Sequence, residues 1–141
     1  KPVSTKNYAK KNQIIFKNLP REKRFSEIKK LCDTLMTNIS DVVPIVPVSL
    51  VSKIFLENLD NELSMSDIEV ECGSILLTIK NNGAPVIETA HSTRRIAISE
   101  AVSLMLLRGM INETETDGMF TCNDSEINLL QYYANALNQW L

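Results

Sequence analysis

Val46-Pro47-Val48-Ser49-Leu50-Val51-Ser52-Lys53-Ile54-Phe55-Leu56-Glu57-Asn58-Leu59, followed by Asp60-Asn61-Glu62-Leu63 and Ser64-Met65-Ser66-Asp67-Ile68, decides the fold of this chain. Pro47 suits the first turn of a helix, where its missing N–H costs nothing. Val48, Val51, Phe55 and Leu59 then recur at helical spacing with Ile54 beside them, which predicts a buried apolar face. Asp60-Asn61-Glu62 reads as a tight polar turn. Ser64 with Asp67 three residues on is the pattern of a capping box, and Met65, Ile68, Cys72, Ile75, Leu76 and Ile79 continue a second apolar face until Asn81-Asn82-Gly83 stops it. The rest of the chain is expected to pack around this helix pair.

Outward from that pair, composition sets the class. The chain has 141 residues, 44% hydrophobic and 23% charged, enough for one domain with a real core and a tail. No apolar run approaches the roughly 20 residues that span a bilayer. Lys1 shows neither an initiator Met nor a signal-peptide pattern, so it is expected to be an internal position of a longer chain. Cys32, Cys72 and Cys122 are odd in number and widely spaced. They predict buried, reduced thiols rather than a zinc site or a disulfide framework. The net charge of −2 hides an asymmetry: residues 1–30 hold ten basic side chains and two acidic ones, while residues 31–141 hold five basic and fifteen acidic.

Along the chain, residues 1–19 read as an extended end and connector, and Pro20 starts a long helix. Phe25, Ile28, Leu31, Cys32, Leu35 and Ile39 lie on one side of it, and Arg21, Lys23, Arg24, Lys29 and Lys30 crowd its first turns. Basic residues there run against the helix dipole, which points to a use for the charge in contacting an anionic surface or a phosphate. Asp41 to Pro47 is an extended linker broken by two prolines. Beyond Gly83, a loop with a short strand at Pro85-Val86-Ile87 leads to a helix from Arg94 to Arg108, stopped by Gly109. A hairpin around Asp117-Gly118 follows, and Asn123 caps a last helix carrying Ile127, Leu130, Tyr133, Ala134, Leu137 and Leu141. The expected class is mainly α with one small β-hairpin, in a winged-helix-like order.

Catalytic constellations are lacking in this pattern. His91 is the single histidine, reads as a loop residue, and has Ser92, Thr93, Arg94 and Arg95 rather than a carboxylate beside it. There is no nucleophile elbow and no glycine-rich phosphate loop. Glu113, Glu115 and Asp117 decorate a turn, and Tyr132-Tyr133 suit core packing with their hydroxyls partnered. No catalytic residue, metal or cofactor is assigned. The rival reading, a winged-helix module for nucleic acid or a protein partner, puts the Arg94–Arg108 helix in the reading position. That helix is mostly apolar beyond its first turn and its hairpin is acidic, so nucleic acid is not expected as a partner.

A resemblance adds a family. Lys1-Pro2-Val3-Ser4, the Pro-started helix, Ile45 to Val51, Glu62 to Ile68, Leu107-Arg108-Gly109-Met110-Ile111 and Leu130-Gln131-Tyr132-Tyr133-Ala134-Asn135 stand in one order over nearly the whole chain. Together they resemble the C-terminal portion of the membrane-bound bacterial glycerol-3-phosphate 1-O-acyltransferases and their dihydroxyacetone-phosphate relatives. Val46 stands where the family often has Thr, and Ala134 where it often has Arg, so no polar role carries to either. The resemblance implies transfer of an acyl group from acyl-ACP or acyl-CoA to glycerol 3-phosphate, giving lysophosphatidic acid at the cytoplasmic side of the inner membrane. It also implies that the family's His-x4-Asp and Pro-Glu-Gly-type segments precede Lys1. Residues 1–19 would then end a catalytic domain, and residues 20–141 would be a helical, non-catalytic domain meeting an anionic membrane through Arg21, Lys23, Arg24, Lys29 and Lys30.

Overall fold

The computed structural model describes residues 4–40, 45–84 and 91–141. The contacts divide the chain at Val43, and residues 1–43 form the first unit. It holds α1 (Thr5–Lys11), a 3-10 turn (Phe16–Asn18) and α2 (Arg21–Ser40). Where an extended end was expected, Thr5–Lys11 is helical: the Tyr8 amide donates to the Ser4 carbonyl at 2.9 Å and the Asn12 side chain donates to the Tyr8 carbonyl at 2.9 Å. A helix of two turns with no apolar stripe leaves no period to read, which is why the sequence concealed it. Gln13 ends it in the left-handed region at φ 54°, with the Ile14 amide reaching back to the Ala9 carbonyl at 2.8 Å. Pro20 opens α2 as expected, its carbonyl accepting from the Arg24 amide at 2.9 Å.

The second unit, residues 44–141, contains α3 (Pro47–Glu57), β1 (Leu63–Ser64), α4 (Met65–Asn81), α5 (His91–Leu107), β2 (Ile111–Glu113), β3 (Met119–Cys122) and α6 (Ile127–Ala134). Its centre is α3. Leu50, Val51, Ile54 and Phe55 are buried, and so are Ser49 and Ser52, so the helix is enclosed on more than the one face its periodicity implied. Against it pack α6 with the 3-10 turn that follows it (Asn135–Leu137), α5 and α4, bringing Leu130 and Leu137, Ile98, Val102 and Met105, and Ile68 and Cys72 into one core. Ser49 and Ser52 keep the helix slim where apolar neighbours crowd it.

The turns hold these elements in place by identifiable bonds. The Ser64–Asp67 capping box forms in both directions, with Asp67 N–H donating to Ser64 Oγ at 3.2 Å and Ser64 N–H donating to Asp67 Oδ2 at 3.0 Å. The Ser64 hydroxyl, which donates to Asp67 Oδ2 at 2.6 Å, and then the Ser64 amide hold the Asp67 carboxyl below its ordinary range, so the box supports the fold at neutral pH and loses that support as pH falls into the acid range. Asn58 closes α3 and donates both to the Ile54 carbonyl at 3.0 Å and to Glu71 of α4 at 3.1 Å. Gly83 and Gly109 stop α4 and α5 with positive φ (86° and 67°), and Ala84 and Met110 fold back onto Ile79 and Met105 through bonds of 3.0 and 2.9 Å.

The hairpin lies within a three-stranded antiparallel sheet of order β1-β3-β2, pairing Leu63 with Phe120 and Ile111 with Cys122. Strand β1 was missed because two residues carry no alternation to detect. The loop between β2 and β3 runs from Thr114 to Gly118, closed by the Thr114 amide on the Met119 carbonyl at 2.9 Å, so Asp117-Gly118 is its end rather than a two-residue turn. The order α3-β1-α4-α5-β2-β3 with this sheet is winged-helix-like, in a mainly α chain. Asn123 opens the last segment as expected, accepting from the Ser125 amide at 3.2 Å, although a 3-10 turn (Asp124–Glu126) precedes α6. The strand expected at Pro85-Val86-Ile87, and Asp41 to Pro44 of the expected linker, lie outside the described residues.

The central position of α3 makes two opposite predictions. Ile54 is fully buried, so Ile54→Ala lowers the unfolding free energy by about 2–5 kcal/mol. Ser52 Oγ is buried without a hydrogen-bond partner among the described residues, so Ser52→Ala raises it by about 1 kcal/mol. Urea denaturation followed by circular dichroism checks both.

Candidate functional site

The five basic residues singled out by the sequence all lie on α2 and all are exposed. They do not share a face. With a turn every 3.6 residues, about 100° each, Phe25, Ile28, Cys32, Met36 and Ile39 form a stripe along one side of α2. Arg21 falls on its line, Lys29 and Arg24 border it, and Lys23 and Lys30 sit about 170° away. Their other bonds follow this division. Lys30 pairs with Glu27 at 2.8 Å on the far side, and Arg24 donates to the Leu19 carbonyl at 3.2 Å.

The apolar side of α2 is only half used within its unit. Leu31 and Leu35 are partly buried, whereas Phe25 is 70% exposed, Met36 61%, Ile39 53% and Ile28 43%. This corrects the expectation that Cys32 is buried: it is exposed, because the residues that precede α2 supply too few apolar side chains to cover so wide a face. That poverty is readable in residues 1–19, where Val3, Tyr8, Ala9, Ile14, Ile15, Phe16 and Leu19 are scattered among polar residues. Two shallow clefts flank the same helix. One, of about 380 Å³, is lined by polar groups including Asn7, Tyr8, Lys11, Thr34 and Asn38. The other, of about 590 Å³, runs past Ile14, Ile15, Leu19 and Lys23. Neither brings a nucleophile to a base.

In the second unit the helix at the winged-helix reading position is α5. His91, expected in a loop, is its first residue. The exposed residues described on α5 are Thr93, Arg95, Ile96, Ser99, Glu100, Ser103, Leu104 and Leu107, and Arg95 is paired with Glu69 of α4 at 2.9 Å. The hairpin presents exposed Glu113, Glu115 and Asp117. Of the tyrosine pair, Tyr133 is part-buried, with Arg108 donating to its hydroxyl at 3.4 Å. Tyr132 stands edge-on to it at 5.6 Å and is 72% exposed, contrary to the expected core packing.

Burial separates the three thiols. Desolvation, with Glu71 and Glu69 nearby, pushes Cys72 up to about 12, and burial beside Asp124 also raises Cys122. At about 12, the Cys72 thiol holds almost no thiolate at neutral pH and is not a nucleophile. Among the described residues, no group of three or more His, Cys, Asp or Glu is placed to hold a metal ion. A disulfide-exchange reagent at pH 8 is therefore expected to titrate Cys32 quickly in the native chain, and Cys72 and Cys122 only after urea unfolding. Fast reaction of all three without urea contradicts this burial.

Comparison with known proteins agrees with the order of motifs. No curated protein and no solved structure gives a significant match to the chain. The family described as the glycerol-3-phosphate acyltransferase C-terminal region matches residues 1–140. With the match spanning both units, the chain belongs to the glycerol-3-phosphate acyltransferase C-terminal region family.

Proposed function

We propose that this chain is the non-catalytic C-terminal region of an enzyme that transfers an acyl group from acyl-ACP or acyl-CoA to the sn-1 hydroxyl of glycerol 3-phosphate, making lysophosphatidic acid for phospholipid synthesis. The family match across residues 1–140 carries this reading. In the reaction, a histidine of the preceding part takes the proton of the hydroxyl as its oxygen attacks the thioester carbonyl, an aspartate orients that histidine, and the thiol leaves with the proton. The side chains of this chain have other work. Ser64 and Asp67 are spent on a helix cap and Cys72 on the core. The outward face of α5 and the acidic hairpin lack the cationic surface that binding to a phosphate backbone needs, which supports a role away from nucleic acid.

The region's place in such an enzyme is at the cytoplasmic surface of the inner membrane, held peripherally. No described helix is long and apolar enough to cross a bilayer. A basic residue close to an anionic leaflet contributes about 1 kcal/mol, so a few on one helix hold a domain there in a salt-sensitive way. Intact-mass measurement and peptide mapping of the native gene product test the enzymatic reading. A few hundred residues before Lys1 containing His-x4-Asp and then a Pro-Glu-Gly-type segment are expected; a native chain that begins near Lys1 overturns it.

A further inference from the structure

From the exposed stripe of α2 we infer that this helix lies in the plane of an anionic bilayer surface, with Phe25, Ile28, Met36 and Ile39 inserted between headgroups and Arg21, Arg24 and Lys29 on lipid phosphates. The inference adds to the membrane placement proposed above a specific element, an orientation and a division among the basic residues. The stripe is continuous from Phe25 to Ile39, about 21 Å of helix at 1.5 Å per residue. All four large apolar side chains on it are at least 43% exposed. An apolar face uncovered over that length, bordered by cations, is the pattern of a helix that rests in a membrane interface.

Charge selects lipid over a protein occupant. Residues 1–30 carry eight more basic than acidic side chains; at about 100° per residue Glu27 and Asp33 of α2 fall away from the stripe, and Glu22, next to Lys29, is the one acid on its border against Arg21, Arg24 and Lys29. A face with apolar side chains along its middle and cations on its line and edges matches acyl chains beneath a layer of phosphates. Lys23 and Lys30 point away from such a surface, and Lys30 is already paired with Glu27. They contribute little to binding despite lying in the same basic run.

Cys32 is the natural reporter, because it is exposed on the stripe while Cys72 and Cys122 are buried. The 141-residue chain, labelled at Cys32 with an environment-sensitive fluorophore, is titrated with vesicles of phosphatidylcholine and phosphatidylglycerol, and with vesicles of phosphatidylcholine alone. The expected result is a blue shift and quenching by a lipid-embedded spin label, with about tenfold tighter binding to the anionic vesicles. Phe25→Ser with Met36→Ser, and separately Arg21→Glu with Lys29→Glu, each weaken binding about tenfold. Lys23→Glu with Lys30→Glu stays within about twofold. All these positions are exposed, and circular dichroism shows whether the helices persist.

Equal binding by the Ser double variant overturns the inference, as does equal weakening by both charge reversals, which would mean diffuse attraction without a bound face. A blue shift that follows protein concentration without vesicles also overturns it, since the stripe would then be covered by a second copy. Binding by this chain is independent of acyl transfer. A parent enzyme that acylates glycerol 3-phosphate while α2 stays out of the bilayer refutes this inference alone, and insertion by a chain with no acyltransferase parent refutes the functional reading alone.

Discussion

The enclosure of α3 is the constraint on which residues 44–141 depend. A helix buried along Ser49 to Phe55 needs apolar partners on several sides, and α4, α5 and α6 each supply one. Their own outward faces are then free to differ. The capping box fixes where α4 starts, the Asn58 bonds to Ile54 and Glu71 fix how it leaves α3, and the two glycine stops return the chain toward the core. The sheet is small because it closes one edge of this helical core, where Leu63, Ile111, Phe120 and Cys122 are buried. Fold alone assigns no activity here: a winged-helix order serves many purposes, and α5 in the reading position shows isoleucine, leucine and glutamate to solvent.

The first unit obeys the opposite economy. Its longest helix has an apolar arc wider than its partner can cover, so packing inside the unit consumes Leu31 and Leu35 and leaves Phe25, Met36 and Ile39 exposed. Exposed apolar side chains at helical spacing, beside a concentration of positive charge, are costly in water and useful at a lipid surface.

How much of this was legible depended on the length of each signal. The helices beginning at Pro20, Pro47 and Ser64 were readable because proline, the capping pair and sustained spacing agreed across several turns, and Gly83 and Gly109 marked the ends of α4 and α5; the last helix was read from its Asn123 cap, but its α-helical part stops at Ala134, short of Leu137 and Leu141. Helix α1 and strand β1 were not readable: seven mostly polar residues and a two-residue strand fall below the length at which a period shows. The basic cluster was legible as composition and, through the helical period, as a division of Arg21 and Lys29 from Lys23 and Lys30; what the sequence did not show is that the apolar side of the same helix is left exposed. Cys32 was misread for a related reason. Spacing reports which residues share a face, and only the partner's supply of side chains decides whether that face is covered.

The central claim is that acyl transfer is done elsewhere in the parent enzyme and that this region contributes no reacting group. His91, heading α5, is the single histidine of the chain, and histidine is the side chain used most often as a general base. The most direct measurement is the turnover of glycerol 3-phosphate by the native gene product carrying His91→Ala. The account predicts a kcat within about twofold of the unaltered enzyme; a fall of about a hundredfold or more, the size of a lost general base, would contradict it.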